Sequence, residues 1–158
     1  MRVMGIDPGF GRMGVAVLEL VSGREPRLLF STCLETYKSS SFASRLGDLM
    51  KNVRELTNKW TPDSVALEKL YFNKNVKTAM QVAEVRGALI GLLQELGKEV
   101  REYSPQAVKF AVTGSGNASK NSVIVMISKL IKLQKEIKHD DEYDAIAIAI
   151  TDIHSLRI

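Results

Sequence analysis

Asp7 and Glu68 each close a short apolar run, Arg2 to Ile6 in the first case and Val65 to Leu67 in the second. An ionised carboxylate at the end of a buried strand loses its hydration unless a cation or hydrogen bonds replace it, so acids in this setting suit a metal site. Asp141 and Asp144 lie three apart just ahead of the apolar segment Ala145 to Ile150. On a helix that spacing places both side chains on one face, with β-carbons about 5 to 6 Å apart. A cluster of such acids suits phosphodiester hydrolysis, where two divalent ions roughly 3.5 to 4 Å apart activate water, stabilise the pentacovalent charge and support the leaving oxygen.

Each acid also has a plainer role open to it. Asp7 could stabilise a turn, and Asp141 or Asp144 could complement a helix dipole. Asp140 competes for the site, because Asp140 and Asp144 are spaced i, i+4 and can converge on one ligand; its expected role is helix cap. His139 and His154 are explained by a polar loop and a helix end without chemistry.

The elements that would position these acids follow from periodicity. Residues 2 to 6, the turn at Asp7-Pro8-Gly9 and the alternating run Gly14 to Leu20 predict a strand, a tight turn and a second strand, and Leu28 to Thr36 predicts a third. Phe42, Leu46, Leu49, Val53, Leu56 and Trp60 recur at helical spacing. Pro62 and Asp63 end that helix before a buried strand at 65 to 68. Residues 75 to 97 predict a helix stopped by Gly97, followed by a strand at 99 to 103. Ser104-Pro105 caps a short helix to about Val112, Gly114 to Asn117 is a turn, Ala118 to Leu133 predicts an amphipathic helix, and Tyr143 to about His154 a buried one. Strands 2 to 6 and 64 to 68, if parallel neighbours, bring Asp7 and Glu68 to one edge of a mixed α/β sheet, where ligands of such sheets bind.

The chain has 158 residues, 45% of them hydrophobic, enough for one globular domain over 1–158 with a buried core. Its net charge of +4 leans towards polyanionic partners. The single Cys33 cannot form an internal disulfide, and the start MRVMGIDPG lacks a signal-type apolar region, which points to the cytoplasm. No apolar run approaches membrane-spanning length.

In combination, GIDPGFGRMG at the start, ALEKLYFNKNVKTAMQVAEVRG in the middle, GSGNASK and DDEYDAIAIAITDIH at the end resemble the RuvC Holliday-junction resolvases, in the family's order and over nearly the whole chain. The resemblance implies a ribonuclease-H-like fold with a five-stranded sheet in the order 3-2-1-4-5, its first three strands antiparallel. It implies that the catalytic and metal-binding tetrad falls on Asp7, Glu68, Asp141 and Asp144, with Asp7 bridging two ions, Glu68 holding one and the last two holding the other. An all-acid site with no Cys cluster and no zinc-like pair of His predicts Mg²⁺, with Mn²⁺ as a substitute.

After Glu68 the segment Lys69 to Lys74 is basic and aromatic, which suits stacking on an unpaired base, although most aromatics are core or interface residues. The resemblance favours Tyr71 as the base contact, with Phe72 and Lys74 beside it, and matches Lys109 and Lys120 to family lysines near the scissile phosphate. Ala79, Ala83, Gly87, Ala88 and Gly91 make the helix at 75 to 97 small-faced, suiting close packing on more than one partner. A homodimer on a four-way junction, nicking two strands of like polarity, and a branch-migration motor of the RuvA and RuvB type are implied with it. Two other readings remain: a YqgF-like nuclease acting on another nucleic acid, and an actin-like ATP-binding domain, whose phosphate turn Asp7 to Gly11 also resembles but which needs a longer chain.

Overall fold

The computed structural model describes residues 1–21, 25–70, 76–133 and 135–156, with side-chain surroundings of residues 76–78 left aside. Five strands, β1 (Arg2–Asp7), β2 (Arg12–Glu19), β3 (Arg27–Glu35), β4 (Ser64–Glu68) and β5 (Glu99–Tyr103), form one sheet in the order β3-β2-β1-β4-β5. β1, β2 and β3 pair antiparallel, whereas β4 joins β1, and β5 joins β4, in parallel. The predicted mixed sheet and its order are what the structure has.

Strand alternation assigns the two faces. Met4, Ile6, Val65 and Leu67 point to a core shared with α1 (Phe42–Trp60) and α2 (Val76–Glu95). Val3, Ala16, Leu18 and Ala66 point to the opposite core, filled by α3 (Pro105–Thr113), α4 (Lys120–Leu130) and α5 (Asp140–Ser155). Asp7 and Glu68 keep step with Val3 and Ala66, so they emerge on the α5 side.

Local chemistry sets the ends of the helices. Ser41, Ser104 and Ser119 each accept a hydrogen bond from the backbone N–H three residues on, capping α1, α3 and α4. α1 ends at Thr61, held at φ 44°, ahead of Pro62, and Gly114 takes φ 75° after α3.

Two helix starts differ from the sequence expectation. α4 begins at Lys120 rather than Ala118, because Ser119 takes the cap. α5 begins at Asp140 rather than Tyr143, since acids in a first turn complement the helix dipole. Asp140 is therefore the first helical residue and not the cap. His139 occupies the cap position and makes no side-chain capping bond.

α5 approaches the sheet at two glycines. A β-carbon on Gly5 would collide with the Ala145 carbonyl oxygen, and one on Gly14 with the carbonyl oxygen of Asp141. The absence of side chains at these positions lets the acidic end of α5 rest directly on β1 and β2.

Candidate active site

The sheet register lays out one row of residues facing α5. Asp7 pairs with Gly14, Gly14 with Cys33, and Glu68 with Tyr103. Ile6 pairs with Leu67, so the next step along β1 and β4 sets Asp7 beside Glu68. Above the gap at Gly14 stands the first turn of α5, which delivers Asp141 and Asp144 over the same row.

The electrostatics record this convergence. Asp7 lies deep among protein atoms, and burial first, then the charges of Asp144, Glu68 and Asp141, push its carboxyl up from 3.8 to about 8. Glu68 is also raised, chiefly by burial and then by Asp144, while Lys109 and Lys120 pull it down. Asp144 is raised by burial, with Lys120 opposing and Asp141 and Asp140 adding to the rise. Such mutual repulsion favours either protons or cations within the cluster.

Two basic side chains supply counter-charge. Lys120, at the start of α4, sets its Nζ 3.1 Å from Asp144 Oδ2 and 3.3 Å from Asp140 Oδ2. Arg12, at the start of β2, has its Nε 3.2 Å from Asp141 Oδ2, in ion-pair range but off the line of a hydrogen bond. That Asp141 oxygen is buried and accepts no hydrogen bond among the described residues. Asp140 differs from its neighbours: its side chain is 61% exposed, against 33% for Asp144 and 23% for Asp141, and it is absent from the charges that raise Asp7.

A cavity of about 250 Å³ opens beside the cluster, lined by Glu68, Lys109, Lys120 and Asp144 over an apolar floor that includes Val108 and Val123. A second, of about 260 Å³, reaches Asp7 and Glu68 from the side of Lys69 and Arg86. Acids and lysines facing one concavity suit a metal-bridged phosphate: the acids hold cations and the lysines hold the anion.

Of the residues singled out in the sequence, Asp7, Glu68, Asp141, Asp144, Lys109 and Lys120 come together here. Tyr71, Phe72 and Lys74 lie outside the described residues. Arg12 was missed, although a signal existed: it stands two positions before Gly14 on β2, and strand alternation turns it to the face of Asp7.

A family description, crossover junction endodeoxyribonuclease RuvC, matches residues 3–152. The chain belongs to the RuvC family. A RuvC of Brachyspira hyodysenteriae is 37% identical over 158 residues, covering 100% of this chain and 97% of that protein. A RuvC of Pseudothermotoga lettingae is 40% identical over 149 residues, covering 94% of this chain and 91% of its own length. Among solved structures, T. thermophilus RuvC in complex with a Holliday junction substrate superposes with a TM-score of 0.92 at 30% identity, over 99% of this chain and 95% of that one. The resemblance of the sequence motifs to RuvC and the ribonuclease-H-like fold expected from them therefore hold.

Proposed function

We propose that this chain is a crossover junction endodeoxyribonuclease that resolves Holliday junctions in recombination and DNA repair by metal-dependent hydrolysis, placing paired nicks in strands of like polarity. The observation that carries this is the convergence of Asp7, Glu68, Asp141 and Asp144 on one sheet edge, in a family whose T. thermophilus member was solved with junction DNA.

The donor set fits divalent cations. Four carboxylates converge, three of them raised by burial and by neighbouring carboxylates, and a buried oxygen of Asp141 has no hydrogen-bond donor among the described residues. All are hard oxygen ligands, which favours Mg²⁺, with Mn²⁺ able to replace it. Asp7 and Glu68 would hold the ions from the sheet, and Asp141 with Asp144 from α5; when bound, the ions supply an activated water and charge neutralisation at the phosphate.

The protein's own contribution is placement. β1 and β4 fix Asp7 and Glu68 on a rigid sheet, and the contact at Gly14 fixes the height of α5 above them. Lys109 and Lys120 orient the phosphate in the cavity by charge. Lys120 begins α4, where the dipole disfavours a cation, and an anionic ligand offsets that cost. We assign DNA contacts also to Tyr71, Phe72 and Lys74, the basic and aromatic segment after Glu68.

A homodimer suits a four-way junction, which is nearly two-fold symmetric. Supporting it, Gly87 and Gly91 lie exposed on α2 with open space around them, and Met80 is 60% exposed on the same helix. One domain spanning 1–158, a cytoplasmic location and a branch-migration motor of the RuvA and RuvB type complete the proposal. No helix of the described residues is long and apolar enough to cross a membrane.

The test incubates the purified protein with a four-way junction, a matched duplex and a single strand, each with Mg²⁺ or with chelator. Junction cleavage in Mg²⁺ alone, at symmetry-related positions, is expected. Equal cutting of all three substrates would replace this function with that of a YqgF-like nuclease on another nucleic acid.

A further inference from the structure

On the far side of Arg12 from the carboxylate cluster, the same sheet face carries a second group of ligand-type side chains. Cys33 is the cross-strand partner of Gly14, and Glu35 that of Arg12. His139, immediately before α5, leans over them. One ligand atom from each of the three lies within 4.8 Å of the other two. His139 Nε2 is 3.0 Å from Glu35 Oε1, and its Nδ1 is 3.1 Å from a terminal nitrogen of Arg12. Cys33 and His139 are half-buried and Glu35 is exposed, so the group meets solvent. Glu35 lines a cavity of about 590 Å³ together with Arg12 and Asp141.

This donor set differs in kind from the neighbouring one. Sulfur, imidazole and a carboxylate suit Zn²⁺ and similar ions, with water as a fourth ligand, and suit Mg²⁺ poorly. Donors around a tetrahedral Zn²⁺ lie roughly 3.3 to 3.8 Å apart, so closure asks for side-chain movements of about 1 Å. Burial first, and then the charges of Asp141 and Glu35, push the Cys33 thiol up to about 11. The two carboxylates, which discourage a lone thiolate, attract a divalent cation.

We propose that Cys33, Glu35 and His139 form a second cation site of Zn²⁺ type, adjacent to the carboxylate cluster and coupled to it through Arg12. On binding, the Cys33 thiol gives its proton to solvent and its sulfur becomes a ligand. The proton on His139 Nε2 transfers to Nδ1, which frees the Nε2 lone pair for the ion, and Glu35 exchanges its histidine partner for the ion. Nδ1 then donates and no longer accepts from Arg12. The released guanidinium keeps Asp141 as its carboxylate partner, so Arg12 is the side chain that touches both sites.

The experiment titrates the full-length protein with Co²⁺ in excess Mg²⁺, reading the near-ultraviolet charge-transfer absorption that only a thiolate–Co²⁺ bond gives. A saturable band is expected at one Co²⁺ per chain, reversed by Zn²⁺, absent in Cys33→Ser and retained in Asp7→Asn. His139→Ala and Glu35→Gln should each weaken it by at least roughly tenfold, the least that even outer-shell partners cost. Circular dichroism verifies that each variant is folded, and the His139 and Glu35 variants decide the matter if Cys33→Ser is not. The site is refuted by no band at saturating Co²⁺, by a band of unchanged affinity in His139→Ala, or by loss of the band in Asp7→Asn. The readout is independent of cleavage, so its failure would leave the nuclease function standing.

Discussion

Acids meet the sheet at both ends of α5, and the two ends treat them in opposite ways. Asp152, near the C-terminal end, is fully buried, yet Ser64 Oγ donates to it at 2.5 Å and Tyr103 OH at 2.6 Å, with Arg101 3.6 Å away. At the N-terminal end, Asp7, Asp141 and Asp144 are given one another and two partly exposed cations. A buried acid with matched donors on every side is a fastener. A group of half-buried acids short of donors keeps a place for cations from solution.

The sharpest way to break this contrast is Asp7→Asn. Cleavage of a four-way junction should fall by at least about a hundredfold, the scale of losing a preorganised electrostatic group. Stability should move the other way. In metal-free protein the folded state keeps the Asp7 proton up to about pH 8, whereas an unperturbed carboxyl ionises near 3.8. Between those values the folded state binds more protons than the unfolded chain, so stability falls as pH rises through the window. In chelator, Asp7→Asn should melt several degrees above the parent at pH 8, an effect on the order of a few kcal/mol, with the gap closing towards pH 4. Thermal melts across pH, with and without Mg²⁺, check the sign.

Asp152→Ala should show the reverse profile. It leaves Ser64 and Tyr103 without their shared acceptor and Arg101 without that ion pair, at a cost of about 2 to 4 kcal/mol. The affinity of the remaining folded protein for Mg²⁺, measured by calorimetry below its melting range, should be unchanged. A fall in Mg²⁺ affinity would mean that the two ends of α5 are not separate devices.

How far each end could be read in the sequence follows from the same physics. Asp7 and Glu68 were legible because strand alternation and a terminal acid are local patterns, and the pairing of β1 with β4 needed only that the two strands be parallel neighbours. Helical spacing puts Asp141 and Asp144 on one face but allows Asp140 with Asp144 as well, and the choice of the first pair rests on the family resemblance; the structure sets Asp140 apart by its exposure, which depends on where α5 lands. The start of α5 was placed three residues late because its acids look like a linker, although they favour a helix N-terminus. The pairing of Arg12 with Asp141 and the role of Asp152 were not legible, since they depend on contacts between residues more than a hundred, or some fifty to ninety, positions apart.

Gly14→Ala tests the contact that sets the acidic end of α5 on the sheet. The added methyl meets the Asp141 carbonyl, which belongs to backbone and cannot swing aside, so α5 must lift. A loss of about 1 to 3 kcal/mol is expected from such overpacking. Cleavage should fall by more than the folded fraction does, because Asp141 rises with the helix. Gly87→Ala, in open space on α2, is the matched control and should leave monomer stability within about 1 kcal/mol of the parent.

Lys120→Ala gives the smallest stability effect and the finest distinction. Its ion pairs with Asp140 and Asp144 are half-exposed, so their loss should cost under about 1 kcal/mol in chelator. Its influence on the acids is larger in consequence, because Lys120 pulls down the carboxyls of Asp7, Glu68 and Asp144 together. Without it all three hold their protons to higher pH, and cations must compete with protons over a wider range. At subsaturating Mg²⁺ the acid limb of the pH–rate profile should therefore move to higher pH, by less than about one unit. Lys120→Arg should restore most of that limb by returning a charge. A limb that stays in place while cleavage falls uniformly would mean that Lys120 acts on the phosphate alone and not on the acids.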